Sequence, residues 1–574
     1  MAALAGLVAL AALAGCGAPD RDGATGGPAD LVLRGGRIVT LAADRPETSA
    51  LAARDGRIVW TGDAAEAGAW IGPETEVLDL GGRLAVPGLI EAHAHFSGLG
   101  EALFGVDLAG ARTWDEVVER VAEAARALPP GTWVVGRGWH QSKWDAPPVP
   151  DVRGFPVHDA LSAATPDHPV LLQHASGHAA IANARAMAAA GLGPRSASPP
   201  GGEMLRRPNG RLAGVFVETA SEPVESAYAA WLATLTPERR AERTRDVLRA
   251  ASREALGHGI TTFHDAGASP EDIAAYRDAI REGDVGVRLH VMLSEAYATP
   301  AALDSLRVVG DLDGRLTVRA IKAYADGALG SRGAWLLDPY ADEPGSTGHN
   351  VLPMERIREL ADLALAYGWQ LCTHAIGDRA NREVLDVYEE AFAARPEAAR
   401  DARFRIEHAQ ILHPDDVSRF ARLGVVAGMQ AIHAVSDAPW TPDRLGAERT
   451  RERAFVFRDL LAAGAVIANG TDAPVEPVDP IASFDAAVTG RTATGAVFQP
   501  HQRMTRDEAL RSYTLAAAYA GHEEDEKGSL EPGKLADITV LDRDILTVPE
   551  DSIPGTQAWA TIVGGRIAWH ADRP

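Results

Sequence analysis

The sequence contains only two cysteines among its 574 residues, Cys16 and Cys372. Two cysteines cannot build the disulfide framework of a small secreted domain, and Cys372 lies in an apolar run typical of a buried strand. Positive charge is also scarce, because 56 Lys and Arg residues stand against 79 Asp and Glu, a formal net charge of −23. This balance argues against binding to nucleic acid phosphates or to anionic lipid headgroups.

The apolar stretch at the N-terminus is too short to cross a membrane. Residues 2–15 are almost wholly Ala, Leu, Val and Gly, whereas a transmembrane helix needs about 20 such residues. This length suits the central segment of a signal peptide. The residues Leu13-Ala14-Gly15-Cys16 resemble the lipobox of bacterial lipoproteins. The resemblance implies cleavage before Cys16, lipidation of its thiol, and an extracytoplasmic protein attached to a bacterial membrane only through that anchor.

The positively charged start of a usual signal peptide is missing, since no basic residue precedes Arg21. A start codon further upstream and a signal peptide cut elsewhere therefore both remain open. We predict a lipoprotein-type signal peptide over residues 1–16 and a flexible tether over residues 17–29, which are rich in Gly, Ala, Pro and Asp.

The two ends of the chain have the same strand-and-turn texture. Short β-branched runs separated by Gly-Gly or Asp-Gly fill residues 30–85, and similar runs follow in residues 523–574. Each piece is too small to bury a core of its own. We predict one β-sandwich assembled from both ends; two separate β-appendages are the alternative.

Between these ends, residues 86–522 alternate strand and helix patterns. Helical patterns occur at 354–367, 380–395, 414–423 and 453–463. The predicted strands are 86–92, 259–264, 287–292, 316–322, 369–374, 404–408, 425–430 and 466–472. Strand–helix alternation indicates a parallel sheet, and eight repeats indicate a (β/α)8 TIM barrel with its active site at the carboxyl ends of the strands. The gap after the first strand is too long for one crossover, so residues 130–225 are predicted to form an inserted subdomain over the barrel mouth.

Polar residues end several of these strands. The first strand runs into His93-Ala94-His95, and alternate residues of a strand point the same way, so two imidazoles would face one point. Such a pair suits a divalent metal, with Zn²⁺ the first choice; two ordinary loop histidines are the alternative. The other strand ends offer Lys322, His374, His408 and Asp472. Four imidazoles and one carboxylate suffice for one or two ions.

Lys322 is the unexpected member of this set, because an ammonium beside a metal cation is electrostatically unfavourable. A lysine carboxylated by CO₂ would instead be an anionic bridge between two metals. The alternative is a lysine paired with Asp326 on a surface loop. For Asp472, the alternative to a metal ligand is an Asx turn before Pro474.

The order of these residues resembles the amidohydrolase superfamily. The matching segments are Val86 to His95, His374, His408, Gly470 to Pro474, and Glu531 to Asp537. Further segments resemble the amidohydrolase-3 branch, which includes N-substituted formamide deformylases: Gly136 to Trp139, Ser176 to His178, Lys322 to Gly333, His374 to Ala380, and Met429-Gln430 with His433. One departure is His140, where such enzymes often carry an acid or an amide, and it puts the substrate in doubt.

The resemblance implies a metal-dependent hydrolase that cleaves a non-peptide C–N bond of a small molecule by attack of metal-activated hydroxide. His93, His95, Lys322, His374, His408 and Asp472 would bind metal. Asp472 would also carry the proton from water to the leaving nitrogen, with His374 and His408 beside it. Additional candidate substrate contacts are His264, Trp139, His174, His178, Ser331, Arg332, Asp378, Arg379, Gln430 and His433. For these residues, core packing, surface placement, a turn or a helix cap is the alternative.

Three other functions remain open at this point. A non-catalytic binding lipoprotein on the same scaffold should have lost ligands, yet all six are present. A mononuclear deaminase would need no lysine, and a lactone or ester hydrolase could use the same metals. Neither the substrate nor the oligomeric state, a homodimer included, follows from the sequence.

Overall fold

The computed structural model describes residues 27–572. The predicted signal peptide, Cys16 and most of the predicted tether lie outside this range. Within residues 27–572, no helix is both long and apolar enough to cross a membrane.

Eight parallel strands form the central barrel, as predicted. In order along the sheet, barrel strands 1 to 8 are Leu89–Ala94, Ile260–Ala268, Arg288–Ser294, Leu316–Tyr324, Gln370–Ala375, Arg405–His408, Val426–Met429 and Ile467–Asn469. Strands 8 and 1 meet through backbone hydrogen bonds from Asp472 N to His93 O (2.8 Å) and from His95 N to Ala473 O (2.7 Å). The carboxyl ends of strands 1 and 8 are thereby held together.

Helices surround the barrel and bury their apolar faces on it. Those between or after the barrel strands are Phe96–Phe104, Pro237–Gly257, Pro270–Glu282, Pro300–Leu306, Met354–Tyr367, Asp378–Ala394, Pro414–Leu423, Ala431–Asp437, Thr441–Leu445, Ala447–Arg453, Phe457–Ala462, Pro480–Thr489, Arg506–Ser512 and Leu515–Ala520. The helix predicted over 453–463 is broken, because Phe455 has a φ of 53°. The main apolar core fills the space between these helices and the strands.

Both ends of the chain contribute strands to one eight-stranded sheet, called the sandwich sheet below, so the two ends join as predicted but in a single sheet. Its strands are Leu31–Val39, Glu47–Arg54, Arg57–Gly62, Glu76–Asp79, Leu84–Pro87, Ile538–Leu541, Ala558–Val563 and Arg566–His570. The N-terminal and C-terminal parts join where Leu84–Pro87 pairs antiparallel with Ile538–Leu541. Arg288 of barrel strand 3 binds Asp537 through two buried contacts of 2.7 and 3.0 Å, which fixes this sheet to the barrel.

The first predicted strand, 86–92, is in fact split between two sheets. Val86 and Pro87 belong to the sandwich strand, and barrel strand 1 begins at Leu89. Gly88 makes the transition, because a Cβ there would lie 2.2 Å from Thr261 Oγ1. Only glycine allows the chain to pass this close to barrel strand 2.

The insertion between barrel strands 1 and 2 has a six-stranded sheet and its own apolar core. Its strands are Val106–Asp107, Val134–Trp139, Val170–His174, Ala179–Ala182, Gly202–Arg206 and Leu212–Glu218, and its helices are Trp114–Arg126, Asp159–Ala164, Ala184–Ala189 and Glu222–Ala233. The last strand ends beside the barrel mouth, where Glu218 lines the cavity described below.

Candidate metal centre

The six side chains predicted to bind metal meet at the carboxyl end of the barrel. His93 comes from strand 1 and His95 directly follows it, Lys322 comes from strand 4, His374 from strand 5, His408 from strand 6, and Asp472 follows strand 8. Ring centroids lie 5.9 Å apart for His93 and His95, 4.9 Å for His93 and His408, and 4.4 Å for His374 and His408. Residues separated by up to 379 positions thus form one cluster.

Hydrogen bonds orient two of these imidazoles. Nδ1 of His93 binds the carboxylate of Glu407, and Nδ1 of His408 lies 2.7 Å from Oε1 of Gln430. Burial alone would raise the pKa of Glu407, but Arg405 and His93 hold it well below its usual range. Glu407 is therefore an anionic acceptor for the His93 proton. In both histidines the Nδ1–H is occupied and the lone pair of Nε2 remains available, which is the arrangement of metal-binding histidines.

Asp472 is brought to His93 by contacts between strands 1 and 8. Glu91 accepts hydrogen bonds from Thr471 N (2.8 Å) and Thr471 Oγ1 (2.9 Å). A Cβ at Gly470 would lie 2.3 Å from Glu91 Oε1, so glycine is needed for this approach. Asp472 Oδ1 then lies 3.2 Å from His95 Nε2 and 3.6 Å from His93 Nε2. The Asp472 carboxylate therefore faces the histidines of the cluster, and the alternative of an Asx turn before Pro474 does not describe its position.

Lys322 is buried, and its Nζ lies 3.2 Å from His93 Nε2. Asp326, the alternative partner, instead accepts backbone hydrogen bonds from Trp335, Ile376 and Gly377 at 2.8 to 2.9 Å. Burial lowers the pKa of the Lys322 ammonium, which favours the neutral amine. The lysine therefore belongs to the histidine cluster and not to a surface ion pair.

The cluster has the properties of a metal site. Ligand atoms of His93, His95 and Asp472 all lie within 4.8 Å of one another, and so do those of His408, His433 and Asp472. His374 Nε2 is buried without a hydrogen-bond partner, and Asp472 Oδ1 is buried facing the imidazoles of His95 and His93. Buried polar atoms without partners are costly in a native protein, and a cation between them would remove that cost. The residues present fit a divalent metal.

A cavity of about 840 Å³ opens above this cluster. Among its lining residues are His95, His178, Lys322, His374, His408 and Asp472. A side cavity of about 50 Å³ adjoins it, lined by His140 and His433 together with His178, His408 and Asp472. The main volume suits a small molecule. Of the predicted substrate contacts, the structure brings His178 and His433 to these cavities, and Gln430 reaches the site through His408.

Three other predicted contacts lie away from these cavities. His264 sits inside the barrel, with its Nδ1 3.2 Å from Arg405 Nη1 and its ring 4.6 Å from that of His290. Trp139 is fully buried in the core of the insertion and donates to Leu172 O (3.0 Å). His174 is buried there too, held by Ser176 and Gln141 at 2.8 and 3.0 Å. All three side chains are packed in the interior of the protein, which is the alternative to a substrate contact given for them above.

The remaining four candidates have structural partners. Ser331 Oγ donates to Ala328 O (3.2 Å), and Arg332 pairs with Asp342 (2.8 Å) in the turn after strand 4. Asp378 does not pair with its neighbour Arg379. Its carboxylate binds Arg453 (2.7 Å) and Leu337 N (2.8 Å), while Arg379 lies over the Trp335 ring. None of these four residues lines the two cavities.

Two buried carboxylates at the site were not predicted. Glu407 precedes His408 in a strand of only four residues, and the pattern predicts a strand there without a role for this side chain. Glu218 lies in a different sheet, 40 residues beyond its partner His178. No sequence spacing indicates either contact, although charged residues in a strand that is predicted to lie buried in the barrel are themselves a signal.

The comparisons with known proteins agree with this geometry. A family model described as "Amidohydrolase family" matches residues 76–568. Protein LONG AFTER FAR-RED 3 of Arabidopsis thaliana is 32% identical over 94% of this chain and 91% of its own length. N-substituted formamide deformylase of Arthrobacter pascens is 30% identical over 94% of this chain and 98% of its own length.

A solved structure leads to the same family. The crystal structure of an uncharacterized metal-dependent hydrolase from Pyrococcus horikoshii OT3 superposes with a TM-score of 0.72 at 27% identity. The match covers 91% of this chain and 99% of that one. Fold, cluster and sequence similarity therefore agree, and the chain belongs to the amidohydrolase family of metal-dependent hydrolases.

Proposed function

We propose that this protein hydrolyses the C–N bond of a small, non-peptide amide, in particular an N-substituted formamide or a related N-acyl amine. The observation that carries the proposal is the cluster of four imidazoles, one carboxylate and one buried lysine at the base of a cavity of about 840 Å³. The similarity to N-substituted formamide deformylase over nearly the full length of both chains supports this choice of bond.

His93, His95, His374, His408 and Asp472 would hold the metal, and imidazole and carboxylate donors favour Zn²⁺. A bound divalent cation supplies an acidified water and polarises the substrate carbonyl. Asp472 lines the cavity beside the imidazoles of His93 and His95, so it is placed to remove a proton from the attacking water. The same carboxylic acid then returns the proton to the leaving nitrogen as the C–N bond breaks.

We further propose that Lys322 is carboxylated, which would provide a bridge for a second ion. Its neutral amine can add to CO₂ with loss of one proton, giving an anionic carbamate. An anion at this position would replace an unfavourable ammonium–cation contact with a favourable one. The burial of Lys322 and its 3.2 Å distance to His93 Nε2 support this assignment.

Metal analysis combined with a substrate panel tests the proposed function. The purified protein should contain one or two equivalents of zinc and should release amines from N-benzyl formamide and N-acyl amines. Treatment with a chelator should remove the activity, and Zn²⁺ should restore it. Deamination of adenine, or lactone hydrolysis without amide hydrolysis on the same panel, would contradict the proposed bond class; absence of bound metal would contradict the metal site.

We also propose that Cys16 carries a lipid that anchors the protein to the outer face of a bacterial membrane. The lipobox-like sequence Leu13 to Cys16 supports this. In a bacterial host, the wild type should incorporate labelled palmitate and fractionate with membranes, whereas Cys16→Ala should do neither. Cys372→Ala is the matched control, because Cys372 is buried in the barrel and should not change labelling. Equal labelling of wild type and Cys16→Ala would contradict the anchor.

A further inference from the structure

A buried carboxylate of the insertion, that of Glu218, lies at the rim of the barrel. Glu218 ends strand Leu212–Glu218, and its side chain is 5% exposed. Its Oε2 accepts a hydrogen bond from His178 Nδ1 at 2.8 Å, and its backbone N donates to His178 O at 2.9 Å. Two separate contacts thus join Glu218 to His178. His178 lies in the turn directly before strand Ala179–Ala182 of the same sheet.

Two glycines of the loop after barrel strand 4 make room for this carboxylate. A Cβ would lie 2.0 Å from Glu218 Oε1 at Gly327 and 2.3 Å from it at Gly333. Neither glycine has a φ in the left-handed region, so conformational freedom does not explain them. Their role is steric, because any side chain at either position would displace the Glu218 carboxylate. This assigns a purpose to two glycines of the segment Lys322 to Gly333.

The backbone of Glu218 is itself strained, with φ 52° and ψ −134°. A non-glycine residue in such a region costs free energy and persists where the surroundings hold it in place. The buried Oε1 of Glu218 also has no hydrogen-bond partner. Strain and a missing hydrogen bond together argue that this carboxylate is kept for its position beside His178 and not for stability.

His178 is the part of this pair that faces the metal centre. It lines both the main cavity and the side cavity, and its ring centroid lies 5.0 Å from that of His374. Because Nδ1 is bound to Glu218, Nε2 is the ring nitrogen left for a substrate. A histidine whose far nitrogen is fixed by a carboxylate is oriented in the same manner as the histidines of many hydrolytic sites.

We propose that His178 is a catalytic residue whose Nε2 forms a hydrogen bond with the scissile amide group, and that Glu218 is its positioning residue. This inference rests on the proposed hydrolase function. The inserted subdomain then completes the active site, in addition to covering it, and the space left by Gly327 and Gly333 lets the Glu218 carboxylate reach its place beside the barrel.

Kinetics of the zinc-loaded enzyme test the pair. Glu218→Ala should lower kcat by about 10²-fold with KM changed less than about threefold. The reason is that correct orientation of the His178 ring, and proton transfer by such a group, each contribute on this scale. Glu218→Gln should recover most of kcat, because an amide oxygen still accepts from Nδ1. His178→Ala should lower kcat at least as much as Glu218→Ala, and the double variant should be no worse than His178→Ala. Metal content should stay constant in all of them.

Two further variants separate positioning from general disturbance of the insertion. Glu203→Gln is the matched control, because Glu203 lies on the adjacent strand and binds Arg153 at the surface (2.7 Å); it should leave kcat unchanged. Gly333→Ala should lower kcat as Glu218→Ala does, and should add no further loss in the Glu218→Ala background. Unchanged kcat in Glu218→Ala, or full additivity with Gly333→Ala, would overturn the inference.

A readout independent of turnover distinguishes this inference from the proposed function. In the ¹⁵N-histidine-labelled enzyme, a hydrogen-bonded Nδ1 proton, identified by its loss in His178→Ala, should disappear in Glu218→Ala and persist in Glu203→Gln. Absence of that proton in the wild type would overturn the positioning role even if the substrate panel gave activity. Its presence in an enzyme that hydrolyses no amide would refute the proposed function while retaining the Glu218–His178 contact.

Discussion

Asp472→Asn is expected to lower kcat for amide hydrolysis by about 10³-fold or more while most of the bound metal remains. An asparagine can still offer an oxygen to the metal, but it cannot accept a proton from water, and proton transfer by a positioned group contributes about 10² to 10⁴ in rate. The imidazoles of His93, His95, His374 and His408 remain to hold the ion. Steady-state kinetics and metal analysis on the same preparation measure both effects.

The control for this substitution is Asp284→Asn. Asp284 is a carboxylate bound to Arg249 at 2.8 Å, and it lies just after helix Pro270–Glu282, away from the cluster. Its replacement should change neither kcat nor metal content. Full activity in Asp472→Asn would refute the proton-carrying role, and loss of all metal would show that Asp472 acts mainly as a ligand.

Lys322→Ala is expected to have an effect of similar size. If the lysine carries a bridging carbamate, its removal should reduce the metal-to-protein ratio and lower kcat/KM by about 10³-fold, which corresponds to about 4 kcal/mol of transition-state stabilisation. Added acetate or propionate should restore part of the activity, because a small carboxylate can occupy the space of the carbamate. The measurements are metal stoichiometry and activity with and without the added acid.

A second test of Lys322 uses the wild-type chain. Protein reconstituted with Zn²⁺ in buffer depleted of CO₂ should regain little activity, and bicarbonate should restore it. Lys534→Ala is the matched control, because Lys534 lies outside the barrel mouth and pairs with Glu531 at 3.0 Å; this variant keeps Lys322 and should lose and regain activity as the wild type does. Wild-type activity and metal content in Lys322→Ala would rule out the carbamate and favour a single-ion site.

The sequence was sufficient to predict the barrel and the meeting of the six candidate ligands at its rim, for a physical reason. Parallel barrel strands are buried on both faces, so they stand out as apolar runs, and the fold places their carboxyl ends together. His93 and His95 follow from the two-residue repeat of a strand. Residues far apart in sequence could therefore be assigned to one site without knowledge of any contact.

The substrate contacts could not be predicted with the same success, and His264 shows why. The predicted strand ended at His264, but the actual strand continues to Ala268, so this histidine lies four residues below the rim. An error of four residues in the predicted end of a strand places a side chain in the barrel interior instead of the cavity. Glu218 was missed for a different reason, since its contact with His178 depends on how one sheet docks on another.

The sandwich strand Leu84–Pro87 has a consequence for synthesis of the protein. This strand lies directly before the first metal-binding histidines, yet its partner Ile538–Leu541 is made more than 450 residues later. Until the ribosome has translated the final segment, the early strand retains an open edge that can pair with other chains. A chain that ends before Ile538 would thus contain all six candidate ligands and still present an unpaired, aggregation-prone edge.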